Sequence, residues 1–210
     1  MLTFNFSKHK IEDTNGLMLD VGCGEGRHIF GVMESYPQMK CIGIDPHKES
    51  LKKAEEGYEY FQSISNAGAE FMEASAYCLP FPDETFDLVV CSEVLEHLHE
   101  YIDAVKEIKR VLKKGGKLII YEPNKLNPLI WLTHLIDKNE RGLLRVGSFK
   151  KYREIFSDTD FKIEEESYNG IVIGPSSKIF DNISNFLNHK IIYPVLGFLN
   201  PKIFLVVNKV

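Results

Sequence analysis

The stretch Leu17-Met18-Leu19-Asp20-Val21-Gly22-Cys23-Gly24-Glu25-Gly26-Arg27 decides how the rest of the chain is read. A short apolar run carries one acid near its end. Three glycines then fall at alternate positions, and a stretch of helical pattern follows from Arg27 to Ser35. That order predicts a buried strand, a tight turn and a helix N-terminus. Glycine admits backbone angles closed to other residues and lets a ligand reach the main chain, while the helix start offers unpaired N–H groups. Asp20 narrows the choice of ligand, because a carboxylate at the mouth of the turn repels a pyrophosphate and attracts a cation. Arg27 also stands where the dinucleotide spacing G-x-G-x-x-G requires glycine.

Outward from this turn the pattern alternates between strands and helices. Met39–Ile44 reads as a second strand ending at Asp45, and Pro46 opens a helix through Ala54 to about residue 64. A brief third strand lies around Glu70–Met72, and Phe86-Asp-Leu-Val-Val90 forms a fourth. Tyr101–Lys114 reads as a helix with Ala104, Val105, Ile108, Val111 and Leu112 in one stripe, closed by Gly115-Gly116. Lys113 and Lys114 suit the negative end of its dipole. Lys117–Tyr121 is a fifth strand, followed by Glu122-Pro-Asn124.

Several of these segments resemble class I S-adenosylmethionine (SAM) methyltransferases. Asp20-Val-Gly-Cys-Gly-Glu-Gly26 resembles the first motif of that family. Leu79-Pro-Phe81, Phe86–Val90, Glu93-Val-Leu-Glu-His-Leu98 and Lys113-Lys-Gly-Gly-Lys-Leu118 are similar to the type 11 methyltransferase-domain group, which is related to the methyltransferases of quinone biosynthesis. The resemblance implies a doubly wound, mostly parallel, seven-stranded α/β sheet of Rossmann-like type with the last strand antiparallel. It further implies SAM as cofactor and S-adenosylhomocysteine as product. Asp20, Gly22 and Gly24 would hold the methionine end, Asp45 the ribose, and Ser75 and Ala76 the adenine edge, with Pro46 and Ser92 completing the cofactor-binding set. Ser75 departs from the family, which usually places an acid there; a serine hydroxyl still accepts from the adenine amino group.

His97, just beyond the fourth strand, is the candidate general base. His97 and His99 are two apart, a spacing that does not direct two rings at one metal on a helix, and no metal is expected. Tyr121, Trp131 and Arg141 are the candidate acceptor-side residues.

The 210 residues suffice for one substantial core, so a single domain over 1–210 is expected, with a cofactor core at 17–124 and substrate-side elements at 125–210. Past Asn124 the pattern predicts a helix from Asn127-Pro128 and a polar break at 137–142. A helix capped by Ser148 follows, then a strand over Phe161–Glu166 and apolar helical stretches over 179–187 and 191–199. A final strand is expected at Ile203–Val207. A net charge of −5 argues against a nucleic-acid partner. The four cysteines are scattered and read as reduced thiols, and Met1–Lys10 lacks the apolar segment of a secretion signal, so a cytoplasmic location is expected. No stretch reaches the ~20 apolar residues of a membrane span, which leaves peripheral membrane contact open. Oligomeric state is not fixed by the sequence.

The expected function is methyl transfer to a small, partly hydrophobic acceptor, roofed by apolar residues such as Trp131, Leu132, Leu135, Phe180, Ile183, Phe186 and Leu187. A small polar metabolite or nucleotide sugar held by Glu140, Arg141 and Tyr121 is the alternative acceptor. Two other readings compete: a non-catalytic partner protein with the SAM fold, and an NAD-linked oxidoreductase, which Asp20 and the missing glycine at position 27 oppose.

Overall fold

The computed structural model describes residues 16–62, 68–136, 146–157, 159–169 and 196–210. Its strands are β1 (Leu17–Val21), β2 (Lys40–Asp45), β3 (Ala69–Glu73), β4 (Phe86–Ser92), β5 (Leu112–Pro123), β6 (Phe161–Asn169) and β7 (Lys202–Lys209). They form one seven-stranded, mostly parallel sheet in the order β3-β2-β1-β4-β5-β7-β6, with the last strands antiparallel. The helices are α1 (Arg27–Ser35), α2 (Lys48–Gln62), α3 (Tyr101–Val111), α4 (Pro128–Ile136) and α5 (Phe149–Phe156). By contacts the chain divides into two compact units.

The first unit comprises Met1–Ser92, Glu100–Ile119 and Asn208–Val210. Here β1 runs parallel to both neighbours, with Val21 beside Ile44 of β2 and Cys91 of β4. β2 in turn pairs in parallel with β3, Asp45 lying beside Glu73. Parallel pairing brings all four carboxyl ends to one edge, where ligands of open α/β sheets bind. β1 and β4 are buried on both faces, as a sheet covered by helices requires, whereas Glu70, Met72 and Glu73 of the edge strand β3 are exposed. Met18, Leu19, Ile44, Leu88 and Val89 are buried, and so are Ile29 and Val32 of α1, Ala54 of α2 and Ile108 of α3. Gly43 is a packing requirement: a Cβ there would lie 2.7 Å from Ile29 Cδ1 and 2.8 Å from Cys23 Sγ.

The expected helix over Tyr101–Lys114 is shorter than its pattern. α3 ends at Val111, and Leu112 is already extended, with ψ of 133°. Lys113 and Lys114 therefore lie in β5, not at a helix C-terminus; Lys109 and Arg110 take the last helical turn. Two anchors explain the early stop. Lys113 Nζ pairs with Asp87 Oδ1 at 2.7 Å, and the Leu112 carbonyl accepts from Lys209 Nζ at 2.6 Å. Gly115, at φ 75°, and Gly116, where a Cβ would stand 2.9 Å from Leu112 Cδ1, make the bend that returns the chain into the sheet.

The second unit comprises Glu93–His99 and Ile120–Val207. Two asparagines fix the segment after β5. Asn124 donates from Nδ2 to the carbonyls of Phe198 (2.7 Å) and Asn200 (2.8 Å). Asn127 Oδ1 accepts from Leu129 N and Ile130 N, capping α4, while its amide nitrogen donates to Leu199 O. Ser148 caps α5 as its position predicts, accepting from Lys151 N. Tyr152, Ile155 and Phe156 are buried; Phe149 is half-buried against Tyr168, ring centroids 4.7 Å apart. The stretch 179–187 and residues 137–142, with Glu140 and Arg141, lie outside the described residues. Of 191–199, the described end is a 3-10 turn, Gly197–Leu199.

Candidate functional site

The sequence around Asp20 folds as a strand end, a glycine turn and a helix start. Gly22, Gly24 and Gly26 take φ of 72°, 52° and 80°, all left-handed. The N–H groups of Gly22 and Cys23 both donate to Ile44 O, at 2.8 and 2.9 Å, which folds the turn against the end of β2. Asp45 finishes the lock. Its Oδ2 accepts from Gly24 N at 2.9 Å, and its Oδ1 accepts from His47 N at 2.8 Å. Among the described residues, a Cβ on Gly24 would meet nothing within 4 Å.

Asp20 is 0% exposed, and among the described residues neither of its carboxylate oxygens has a hydrogen-bond partner. Burial, with the nearby Asp45 charge, pushes its carboxyl up to about 8. A buried acid left without donors is unusual, since native proteins pair such groups. Ser75, exposed, accepts from Tyr77 N at 3.3 Å within a turn bridged to Cys78, and Ala76 beside it is half-buried. Pro46 is exposed, and Ser92, half-buried, ends β4. The first unit thus gathers every predicted cofactor-side residue at the carboxyl ends of its strands. The Leu79-Pro-Phe81 segment is held there by α3: Glu107 Oε2 accepts from Leu79 N at 2.8 Å, and Arg110 donates to the carbonyls of Leu79 and Phe81.

Residues 19–120 match the family described as a methyltransferase domain. An uncharacterized methyltransferase of Schizosaccharomyces pombe is 38% identical over 117 residues, which are 54% of this chain and 42% of that protein. The demethylmenaquinone methyltransferase of Lactococcus lactis is 34% identical over 115 residues, 54% of this chain and 44% of its own. Among solved structures, a SAM-dependent methyltransferase from Methanosarcina mazei superposes with a TM-score of 0.72 at 19% identity, covering 100% of this chain and 99% of that one. Residues 19–120 therefore carry the sequence of a methyltransferase domain. It spans about half the length of the curated relatives it matches.

The second unit holds His97, Tyr121 and Trp131, while Arg141 lies outside the described residues. His97 closes a 3-10 turn, Leu95–His97, and is exposed; its Nε2 lies 3.7 Å from Oε1 of the buried Glu96. Tyr121 is buried, and burial with the Glu93 charge pushes its phenol up. Trp131 is 56% exposed on α4. Two residues here escaped sequence reasoning. Glu122, 0% exposed, accepts through Oε1 from Val94 N (3.1 Å) and Leu95 N (3.0 Å), and Lys202, also buried, pairs with Glu93. The only available signals were an acid closing an apolar strand and a lysine opening one. Among the described residues no cluster of three His, Cys, Asp or Glu side chains is placed to hold a metal ion. No described helix is long and apolar enough to cross a membrane.

Proposed function

We propose that this protein is a SAM-dependent methyltransferase acting on a small, partly hydrophobic acceptor. The observation that carries the reading is Asp20, a buried acid with no donor among the described residues, beside a left-handed glycine turn. A cationic ligand supplies what that acid lacks, and the methionine end of SAM bears an ammonium. The residues present fit the cofactor. Asp20, Gly22 and Gly24 would hold its methionine end, and Asp45 and Pro46 its ribose. Ser75 and Ala76 would meet the adenine edge, and Ser92 would border the site. Bound SAM supplies a methyl group already activated on a sulfonium.

The protein's own work is then alignment and exclusion of water, with a proton removed where the acceptor arrives protonated. His97 is the group proposed for that proton. Acceptor preference is inferred from α4. Leu129, Trp131, Leu132, Leu135 and Ile136 are all exposed, and at 3.6 residues per turn they share an arc of about 160°. An apolar surface of this kind suits a hydrophobic acceptor body, with Trp131 and Tyr121 as candidate contacts and Arg141 as a polar one. The Lactococcus relative, named for a quinone-type substrate, makes such acceptors the first to assay.

The test begins with binding. S-adenosylhomocysteine at ~100-fold excess over Kd should stabilise the protein by about 2.7 kcal/mol. Asp45→Ala should lower affinity by about 10- to 100-fold, since hydrogen bonds to a charged group contribute ~1.5–3 kcal/mol. Equal calorimetric affinity in the two proteins removes Asp45 from the site. Methyl transfer is then screened across acceptors of graded polarity, with Trp131→Ala as control. Turnover confined to polar acceptors and untouched by that substitution overturns the hydrophobic assignment.

A further inference from the structure

We propose that Glu122 is a positioning residue for methyl transfer, holding the turn Glu93–His97, and with it His97, in one conformation, with Lys202 as a second anchor. The inference rests on the reading of His97 given above.

The turn is under constraint from its first residue. Glu93 has φ of 56°, a left-handed angle that side chains other than glycine rarely adopt. Such angles persist only where surrounding contacts impose them. The contacts come from the end of β5 and the start of β7. Glu93 N donates to Tyr121 O at 2.8 Å. The next two N–H groups, of Val94 and Leu95, converge on one oxygen of Glu122, at 3.1 and 3.0 Å. Three consecutive backbone donors are therefore taken by two adjacent residues. From the other side, the Lys202 ammonium pairs with the Glu93 carboxylate and lies 5.8 Å from the centroid of the Tyr121 ring. With the turn so fixed, His97 N donates to Val94 O at 3.0 Å and closes the 3-10 turn. Glu96 and His97, whose Oε1 and Nε2 are 3.7 Å apart, take their places from it.

The chemistry of Glu122 distinguishes a positioning role from an ion pair. Its Oε2 is buried and has no hydrogen-bond partner among the described residues. Burial, then the Glu96 charge, push the carboxyl up to about 8, against the opposing pull of the two N–H bonds and Lys202. Burial thus favours the neutral form of this side chain, and Oε1 is the acceptor that the two amides use. A glutamine side chain offers the same acceptor in the same volume; alanine offers none.

The test uses isotope-labelled full-length protein, reading amide hydrogen exchange at Val94 and Leu95 and the ring resonances of His97. Glu122→Ala should speed exchange at both amides by about tenfold or more and move the His97 ring shifts. Its affinity for S-adenosylhomocysteine should stay within about twofold of wild type. Glu122→Gln should restore both the protection and the ring shifts. Unchanged exchange in Glu122→Ala overturns the proposal, and so does a glutamine variant that behaves like alanine. Should Glu122→Ala fail to fold, Lys202→Met is read in the same way at the Glu93 amide and the His97 ring, where no change overturns it. These readouts need no bound cofactor. A wild-type protein that failed to bind S-adenosylhomocysteine would sink the methyltransferase reading and leave the exchange data to judge the turn.

Discussion

Two turns follow strands in this chain, and each has a buried acid beside it. The turn after β1 takes its left-handed angles with Gly22, Gly24 and Gly26; the turn after β4 takes one with Glu93. Asp20 and Glu122 are equally inaccessible, and burial pushes both carboxyls up to about 8. Yet Asp20 has no donor within the described residues, whereas Glu122 accepts from two backbone amides. The same desolvation thus serves two ends. On the proposed reading, the acid left unmatched serves a ligand from outside the protein. An acid matched by main-chain N–H groups fixes the protein itself. The glycines agree with this division, since the proposed ligand would reach the main chain of the first turn, while the Glu93 carboxylate pairs with Lys202.

The largest effect should appear when the unmatched acid loses its ionisable proton. Between the usual carboxylate range near pH 4 and the folded value near 8, the folded state holds the Asp20 proton and the unfolded state has released it. Stability therefore falls as pH rises across that window, by about 1.4 kcal/mol per unit for one group. Glu122 adds a slope of the same sign. Asp20→Asn removes one of the two slopes and should raise the unfolding free energy of the unliganded protein at pH 7 by on the order of 4 kcal/mol. The same variant should lose most of its affinity for S-adenosylhomocysteine, because the amide does not neutralise the ligand's ammonium. Chemical denaturation from pH 5 to 9 checks the first part. A slope identical in the two proteins would mean that Asp20 is ionised before any ligand arrives.

How far the two turns were legible in the sequence follows from the same contrast. The first is local: Asp20 and its glycines lie within seven residues, and the parallel register brings Asp45 alongside. The order of strands and helices was legible for a similar reason, since period and punctuation are short-range signals. The second turn is assembled from distant pieces, with Glu122 27 and 28 residues from the amides it binds and Lys202 109 residues from Glu93. No spacing rule announces such pairs. The end of α3 shows the converse failure. The stripe Ala104–Leu112 and the glycine pair suggested a helix to Lys114, but Asp87 and Lys209, remote in sequence, draw Leu112 and Lys113 into β5. In α4 the apolar pattern was plain, while the exposure of Leu129 and Trp131 depends on what packs there and was not.

A smaller effect sharpens the functional half of the comparison. If Asp20 waits as a neutral acid, a cationic ligand must drive its proton off. Binding of S-adenosylhomocysteine at pH 7 should then release up to about one proton, and affinity should rise with pH by at most about tenfold per unit until near 8. Calorimetry at one pH in buffers of different ionisation enthalpy counts the protons. Asp20→Asn should show no such release. Glu122→Gln, altering the acid committed to the protein, should leave the count as in wild type, and a reduced count there would blur the division between the two carboxyls.

The smallest effect concerns the backbone of the second turn. Glycine at position 93 should relieve the left-handed strain at φ 56°, worth about 1 kcal/mol. In the wild-type setting that gain is hidden, because removing the half-exposed Glu93 carboxylate leaves the buried Lys202 ammonium unmatched, and leaving a buried polar group without its partner costs about 1–3 kcal/mol, more where it is charged. Glu93→Gly alone should therefore destabilise. The two contributions separate once Lys202 is replaced by methionine, which keeps most of the buried stem and removes the charge. In that background Glu93→Gly should be more stable than Glu93→Gln by about 1 kcal/mol, since both lack the ion pair and only glycine takes the angle freely. Equal denaturation midpoints for the two double variants would show that the turn relaxes without its anchors, leaving Lys202 as the reason position 93 is left-handed at all.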